Sequence, residues 1–131
     1  MLRLRTSGQH TQLTYKQNIN EQGDAIEYEL GIEDRCTMRS ILEAMGYYHV
    51  VTVEKQRRIA LCNNLTYMLD LVTHVGHFLE IERVLDSSAE IDKTKLEIIK
   101  AAADLGLTDA DIETRKYDRL TYMALKEIGN G

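Results

Sequence analysis

The 131-residue chain has no proline, no tryptophan, one phenylalanine and two cysteines. Without proline, its turns must be formed by the eight glycines and by asparagine and aspartate. Cys36 and Cys62 lie far apart in the sequence and neither belongs to a CxxC motif. We interpret them as buried or half-buried thiols in a reducing cytoplasm rather than as a disulfide.

Long hydrophobic runs are also absent. The longest uncharged stretch, Ile59–Leu69, contains polar residues, so the sequence predicts no membrane-spanning helix. The initial MLRLR carries no apolar signal-peptide core. A net charge of −5 and a pI of about 5.4 disfavour nucleic acid as a partner, because proteins that bind it present a basic face. We therefore expect a single cytoplasmic domain over residues 1–131, with no nucleic-acid or membrane partner.

Alternation of apolar and polar residues predicts strands in the first two thirds of the chain, and helical spacing predicts helices in the last third. The expected strands are Leu2–Arg5, Gln12–Lys16, Ile26–Glu33, a long β segment Tyr47–Cys62, Tyr67–Thr73 and Gly76–Leu85, with a loop at Asn18–Asp24. The expected helices are one from Asp34 to Gly46, then Asp92–Leu105, Ala110–Glu113 and Tyr117–Ile128. This order predicts an α+β fold in which antiparallel strands close toward a barrel.

Like charges recur at positions i and i+2 of the predicted strands, where side chains share one face of a sheet. The cationic pairs are Arg3 with Arg5 and Lys55 with Arg57, and the acidic pairs are Glu27 with Glu29 and Glu80 with Glu82. Apolar residues take the opposite parity. Lys16 and Asp70 also stand on the polar face of their strands.

Two interpretations of these charges remain open on spacing alone. The polar face can simply be solvated, as in many antiparallel sheets. Alternatively, the polar face curls inward, so that arginine and lysine bind phosphoryl oxygens while carboxylates hold Mg²⁺ or Mn²⁺.

The order and spacing of four segments resemble the CYTH family, the triphosphate-tunnel enzymes that include class IV adenylyl cyclases and thiamine triphosphatases. The segments are LRLR at 2–5, TYK at 14–16, VEKQRR at 53–58, and LDLV with GHFLEIE between 69 and 82. The resemblance implies an antiparallel β-barrel, or tunnel, with its charges inside and its helices outside. By motif, Arg3, Arg5, Lys16, Lys55 and Arg57 would bind the triphosphate. Asp70, Glu80 and Glu82 would bind the metal, and Glu27 and Glu29 match the family's further acidic strand.

The resemblance implies a metal-dependent protein that acts on triphosphates. The best match is an adenylyl cyclase that converts ATP to cyclic AMP and pyrophosphate. A thiamine or inorganic triphosphatase uses the same residues, and a non-catalytic triphosphate-binding module is a further alternative. Substrate choice among ATP, thiamine triphosphate and tripolyphosphate stays open, no catalytic residue is assigned, and Tyr117 could contact the triphosphate or simply pack.

Relatives carry an E-x-E-x-K strand, a helix and a further strand before the LRLR segment, whereas this sequence starts immediately before it. We therefore expect a domain that lacks its usual N-terminal strand-helix-strand segment. The exposed strand edges of such a domain would favour pairing with a second copy or a complementing chain.

Overall fold

A computed structural model describes residues 1–18, 25–84 and 90–129 of the chain. Its strands are β1 (Leu2–Ser7), β2 (His10–Asn18), β3 (Ala25–Ile32), β4 (Lys55–Cys62), β5 (Leu65–Val72) and β6 (Gly76–Glu82). Its helices are α1 (Arg35–Ala44), α2 (Ile91–Asp104) and α3 (Tyr117–Gly129), with a short 3-10 helix at Asp109–Asp111. The chain forms two compact units, Met1–His49 and Val50–Gly131. The single-domain expectation stays a prediction.

The first unit is a three-stranded antiparallel sheet in the order β1-β2-β3, followed by α1. Its register aligns Arg3 with Thr14 and Thr14 with Glu29. Because side chains alternate along a strand, this row and its i±2 neighbours form one polar face. Leucines and tyrosines, such as Leu13 opposite Leu30, take the other face. The predicted sorting of charges to one side of this sheet is thus confirmed.

Helix α1 begins and ends as its sequence predicts. The Asp34 carboxylate accepts hydrogen bonds from the backbone N–H groups of Cys36 and Thr37, at 2.9 and 3.1 Å, which supplies partners for two N–H groups of the first turn. Gly46, just after the last turn, has φ +92°, a conformation that glycine adopts without steric cost.

The second unit contains an antiparallel sheet in the order β4-β5-β6. Its register aligns Arg57 with Asp70 and Asp70 with Phe78. On β5, Met68, Asp70 and Val72 share a face and all three are buried. The ring of Tyr117, the first residue of α3, lies 5.0 Å from the ring of Phe78 on this same face. On β5, the face that carries the predicted charge is therefore the buried face.

The α+β class and the antiparallel sheets are confirmed, but the described strands do not close into a barrel. Backbone pairing forms two separate three-stranded sheets instead. Alternating hydrophobicity identifies the two faces of a strand, but closure depends on which strand edges pair, and the pattern carries no information about that.

Several predicted boundaries differ from the structure. The β segment expected from Tyr47 begins only at Lys55, and the helix expected at 110–113 is the 3-10 helix Asp109–Asp111, capped by Thr108. Asn18 ends β2, while the rest of the loop predicted to Asp24, and Leu85, lie outside the described residues.

Both cysteines are exposed free thiols, so their predicted burial is wrong. Cys36 lies in the first turn of α1 and Cys62 is the last residue of β4, so both stand at the ends of elements. Among the described residues, no helix is long and apolar enough to cross a membrane.

The turn between β4 and β5 gives a test of the fold. Asn63 and Asn64 have φ of 50° and 62°, the left-handed region used by two-residue hairpin turns. We expect Asn64→Val to lower the free energy of unfolding by about 1–2 kcal/mol, because a β-branched residue is strained there. Asn64→Gly should preserve or raise it. Urea unfolding of the two variants checks this, and equal stabilities would contradict the turn geometry.

Candidate functional site

The buried carboxylate of Asp70 is the centre of a charged cluster on the second sheet. Its side chain is 0% exposed. Lys55 Nζ donates to Oδ2 at 2.9 Å, and Arg57 donates through Nε to Oδ1 and through Nη2 to Oδ2, both at 2.6 Å. The Arg57 contact is a two-pronged pairing of a planar guanidinium with a carboxylate, which fixes both position and orientation. Asp70 therefore holds two cations on one face of the sheet.

Strand register explains why these three side chains meet. Arg57 lies opposite Asp70 on the neighbouring strand, and Lys55 lies two residues before Arg57 on the same face. Placing a carboxylate away from water is costly unless cations and hydrogen bonds compensate its charge. The sequence provides that compensation directly from β4.

Glu80 and Met68 complete the surroundings of Arg57. Arg57 Nη2 also donates to Glu80 Oε2 at 2.9 Å, and Nη1 lies 2.9 Å from the Met68 sulfur. The Glu80 side chain is 43% exposed, whereas that of Arg57 is 28% exposed. The cluster therefore has a buried acidic side and an open acidic side.

Tyr117 packs over the same cluster from the start of α3. Lys55 Nζ lies 5.1 Å from the centre of its ring, within the range of a cation–π contact. The Tyr117 hydroxyl is buried near Asp70 and Glu80, but it has no hydrogen bond of good geometry with a described residue. The packing role considered for Tyr117 is thus present, and its polar atom is directed at the charged cluster.

Electrostatics in the cluster favour the charged forms of its ion pairs. Hydrogen bonds from Arg57, and then from Lys55, hold the pKa of Asp70 well below its usual range, although burial acts in the opposite direction. The Asp70 hydrogen bond and the Glu80 charge raise the pKa of Arg57 further. Burial, followed by the Glu80 and Asp70 carboxylates, raises the pKa of Tyr117, so its hydroxyl remains protonated at neutral pH.

The polar face of the first unit carries a second, more open set of charges. Lys16 Nζ lies 2.6 Å from Glu27 Oε1, and their side chains are 28% and 41% exposed. This hydrogen bond and the Lys16 charge lower the pKa of Glu27. Gln12 donates to Glu29 at 3.0 Å. The cations Arg3, Arg5 and Lys16 and the two glutamates therefore share one face, as predicted.

Two buried polar atoms on this face have no hydrogen-bond partner among the described residues. They are Arg3 Nε and the hydroxyl oxygen of Thr14, a side chain that is 1% exposed. Arg3 and Thr14 are register partners, so the two atoms belong to the same row across the sheet. Unpaired buried polar atoms are uncommon in native proteins and call for an explanation such as a ligand or a bound water.

The predicted metal ligands occupy different surroundings. The Asp70 carboxylate is occupied by Lys55 and Arg57, whereas Glu80 and Glu82 stand two residues apart on one face of β6. Within residues 1–18, 25–84 and 90–129, no three histidine, cysteine, aspartate or glutamate side chains lie close enough to hold a metal ion.

The carboxylates of Glu80 and Glu82 nevertheless suit a metal ion that binds together with a phosphate. Mg²⁺ is commonly bound through one or two carboxylates, with substrate phosphates and water as the other ligands. Glu80, which contacts Arg57, and Glu82, two residues further along β6, provide two hard oxygen donors on one face of the sheet. The metal role of Asp70, Glu80 and Glu82 stays a prediction.

Strand parity could have identified two further contributors. Thr14 lies between Gln12 and Lys16 on the polar face, and Met68 lies two residues before Asp70. Both therefore point toward the charged residues. Their side chains suggest no chemistry by themselves, so only the contacts reveal that Met68 touches Arg57 and that Thr14 is buried beside Arg3.

Comparison with known proteins gives consistent matches. A sequence model of the CYTH domain matches residues 1–117. The chain is 28% identical over 96 residues to adenylate cyclase CyaB of Aeromonas hydrophila, which covers 73% of this chain and 50% of the cyclase. It is 30% identical over 91 residues to a protein of Methanocaldococcus jannaschii, covering 70% of this chain and 52% of that protein. The chain thus spans about half the length of these two relatives.

A solved structure supports the same relationship. A protein of Pyrococcus horikoshii OT3 superposes with a TM-score of 0.75 at 28% identity, over 91% of this chain and 73% of that protein. Most of this chain therefore has a counterpart in a solved structure.

The Asp70 cluster predicts a specific loss of stability. Asp70→Asn should lower the free energy of unfolding at pH 7 by about 3 kcal/mol, because Lys55 and Arg57 would keep their charges without the buried counter-charge. Urea unfolding measures this. Asp104→Asn, at the exposed end of α2, makes the same charge change and should leave stability unaltered. Equal effects of the two changes would contradict the structural role of Asp70.

The low pKa of Asp70 also predicts how stability depends on pH. A carboxylate whose folded pKa is depressed stabilises the fold above its unfolded pKa of about 3.9, and this contribution is lost as the pH falls toward the folded pKa. The unfolding free energy of the parent should therefore decrease more steeply below about pH 4 than that of Asp70→Asn. Parallel curves over that range would show that Asp70 has no ion pair in solution.

Proposed function

This chain belongs to the CYTH domain family, and on that premise we propose that it binds the phosphates of a triphosphate compound through charged side chains of its strands. Its activity is that of a class IV adenylyl cyclase, which converts ATP to cyclic AMP and pyrophosphate. The similarity to a protein named adenylate cyclase supports ATP as the substrate.

The observation that carries the proposal is the way Asp70 presents Lys55 and Arg57. Both cations are fixed on one face of the sheet, and their side chains are 22% and 28% exposed. A guanidinium recognises phosphate oxygens through its planar fork, and an ammonium acts as a compact point charge. Two cations already held in place lose less conformational freedom when a phosphate binds than two mobile surface side chains.

Arg3, Arg5 and Lys16 are proposed to bind phosphate oxygens on the polar face of the first sheet. The unpartnered Arg3 Nε and Thr14 hydroxyl support this, because an anionic ligand would supply the acceptor that Arg3 lacks. Lys16 is paired with Glu27 at present, so a phosphate would replace an exposed ion pair of modest strength.

Glu80 and Glu82 are proposed to hold Mg²⁺ or Mn²⁺ together with the phosphate oxygens, whereas Asp70 orients Lys55 and Arg57. When bound, the metal would polarise the phosphorus–oxygen bonds and neutralise the charge of the leaving phosphates. Phosphoryl and nucleotidyl transfer depend mainly on alignment and charge stabilisation. Lys55 and Arg57 supply both to the phosphates without any covalent contribution.

Tripolyphosphate binding tests the phosphate site. We expect Arg57→Ala to weaken binding by about tenfold or more, because a charge-assisted contact to phosphate is lost. Arg58→Ala is the matched control, since Arg58 is exposed, adjacent in sequence and on the opposite face of β4. Isothermal titration calorimetry with Mn²⁺ present measures both affinities. If Arg57→Ala binds as tightly as the parent, the assigned phosphate site is wrong.

Turnover of ATP tests the metal site and the reaction. With Mn²⁺ we expect cyclic AMP and pyrophosphate as products, and about 100-fold less of both from the double variant Glu80→Ala, Glu82→Ala. Chromatography of the products separates the alternatives. Release of inorganic phosphate without cyclic AMP would indicate a triphosphatase, and binding without turnover would indicate a non-catalytic module. Undiminished cyclic AMP from the double variant would remove the metal role of the two glutamates.

A further inference from the structure

Arg57 is shared between two carboxylates that differ greatly in exposure. Its Nη2 donates to Asp70 Oδ2 at 2.6 Å and to Glu80 Oε2 at 2.9 Å. The Asp70 side chain is 0% exposed and the Glu80 side chain is 43% exposed. A ligand that reaches Arg57 from solvent therefore meets Glu80 and not Asp70.

The hydrogen bonds of the Arg57 guanidinium show which N–H group Glu80 makes unavailable to a phosphate. A guanidinium has five N–H groups. In Arg57, Nε and one N–H of Nη2 bind Asp70, the second N–H of Nη2 binds Glu80, and Nη1 lies against the Met68 sulfur. A phosphate can accept two parallel hydrogen bonds, one from Nη1 and one from Nη2 of the guanidinium. It then needs the Nη2 N–H group that now donates to Glu80.

We propose that Glu80 competes with the bound phosphate for Arg57, and that a divalent cation strengthens phosphate binding by drawing the Glu80 carboxylate away from the guanidinium. This inference rests on the proposed function, because it concerns the same phosphate and metal ligands. It adds a regulatory role for Glu80: without metal, Glu80 blocks part of the phosphate site, and with metal it becomes a ligand.

Asp70 does not take part in this exchange. It receives two hydrogen bonds from Arg57 and one from Lys55, and its displacement would leave a buried carboxylate unpaired. The pair between Arg57 and Glu80 is a single contact on the open side, of the kind that contributes little to stability. The two acidic partners of Arg57 therefore divide into a fixed one and a displaceable one.

Thermodynamic linkage gives the proposal a quantitative form. If metal removes the competitor for phosphate, then phosphate must strengthen metal binding by the same factor. Replacing Glu80 by glutamine removes the charge of the competitor and weakens it as a metal ligand. The variant should therefore bind tripolyphosphate more tightly than the parent without metal, and gain less when metal is added.

The experiment is isothermal titration calorimetry of sodium tripolyphosphate into the full chain, in buffer cleared of metal with a chelating resin, at about 0.15 M salt, where the Debye length is about 8 Å. It is repeated with about 1 mM Mn²⁺ in both the cell and the syringe, since phosphate oxygens and carboxylates bind such a cation together. We expect Glu80→Gln to bind tripolyphosphate about threefold more tightly than the parent without metal. The gain in affinity from Mn²⁺ should fall by at least the same factor.

Glu54→Gln is the matched control, since it makes the same charge change at an exposed position next to Lys55 and outside the sheet. It should shift the metal-free affinity by less than about 1.5-fold, because a general change in charge is largely screened. Circular dichroism verifies that each variant is folded. Glu80→Ala, which removes both charge and acceptor, should shift affinity in the same direction as Glu80→Gln.

The outcomes separate the inference from the proposed function. If the parent binds tripolyphosphate but Glu80→Gln binds no more tightly than Glu54→Gln, the competition is disproved while the phosphate site stands. If Glu80→Gln binds more weakly without metal, the inference is overturned as well. If the parent does not bind tripolyphosphate with or without Mn²⁺, both the proposed function and this inference fail.

Discussion

The ion cluster around Asp70 is the constraint from which the arrangement of the second unit follows. A carboxylate on the buried face of β5 is tolerated only because Arg57 and Lys55, on the neighbouring strand, donate three hydrogen bonds to it. The register between β4 and β5 must therefore be kept, since a shift by one residue would move both cations to the opposite face. The same contacts that make the sheet stable also fix the two cations that a phosphate would meet.

The two sheets use the same sequence pattern but obtain different electrostatics from it. In the first, the Lys16–Glu27 pair is on average about one third exposed, so water weakens its interaction. In the second, Asp70 is fully buried, so its attraction to Arg57 and Lys55 is stronger and the cations are held more firmly. Burial, and not the number of charges, therefore decides how firmly each face holds its cations.

The two acidic partners of Arg57 differ in their surroundings. Asp70 orients the cations and Glu80 lies on the open side, although both accept from the same nitrogen of Arg57. The chain belongs to the CYTH family. It spans about half the length of its relatives from Aeromonas hydrophila and Methanocaldococcus jannaschii. The activity of a whole cyclase is therefore proposed for this chain on the basis of the site and the similarity together.

The sequence by itself determined the α+β class, the strands β1, β2, β3, β5 and β6, helix α1 with its Asp34 cap, and the face that each charge occupies, because these depend on local periodicity. Its motifs also identified the family. Only the tertiary structure decided that the strands form two separate sheets, that β4 starts at Lys55, and that both cysteines are exposed. It alone revealed that Asp70 is buried between two cations, while Glu80 contacts one of them and remains 43% exposed. Pairing of strand edges and burial depend on contacts between distant residues, which periodicity does not encode.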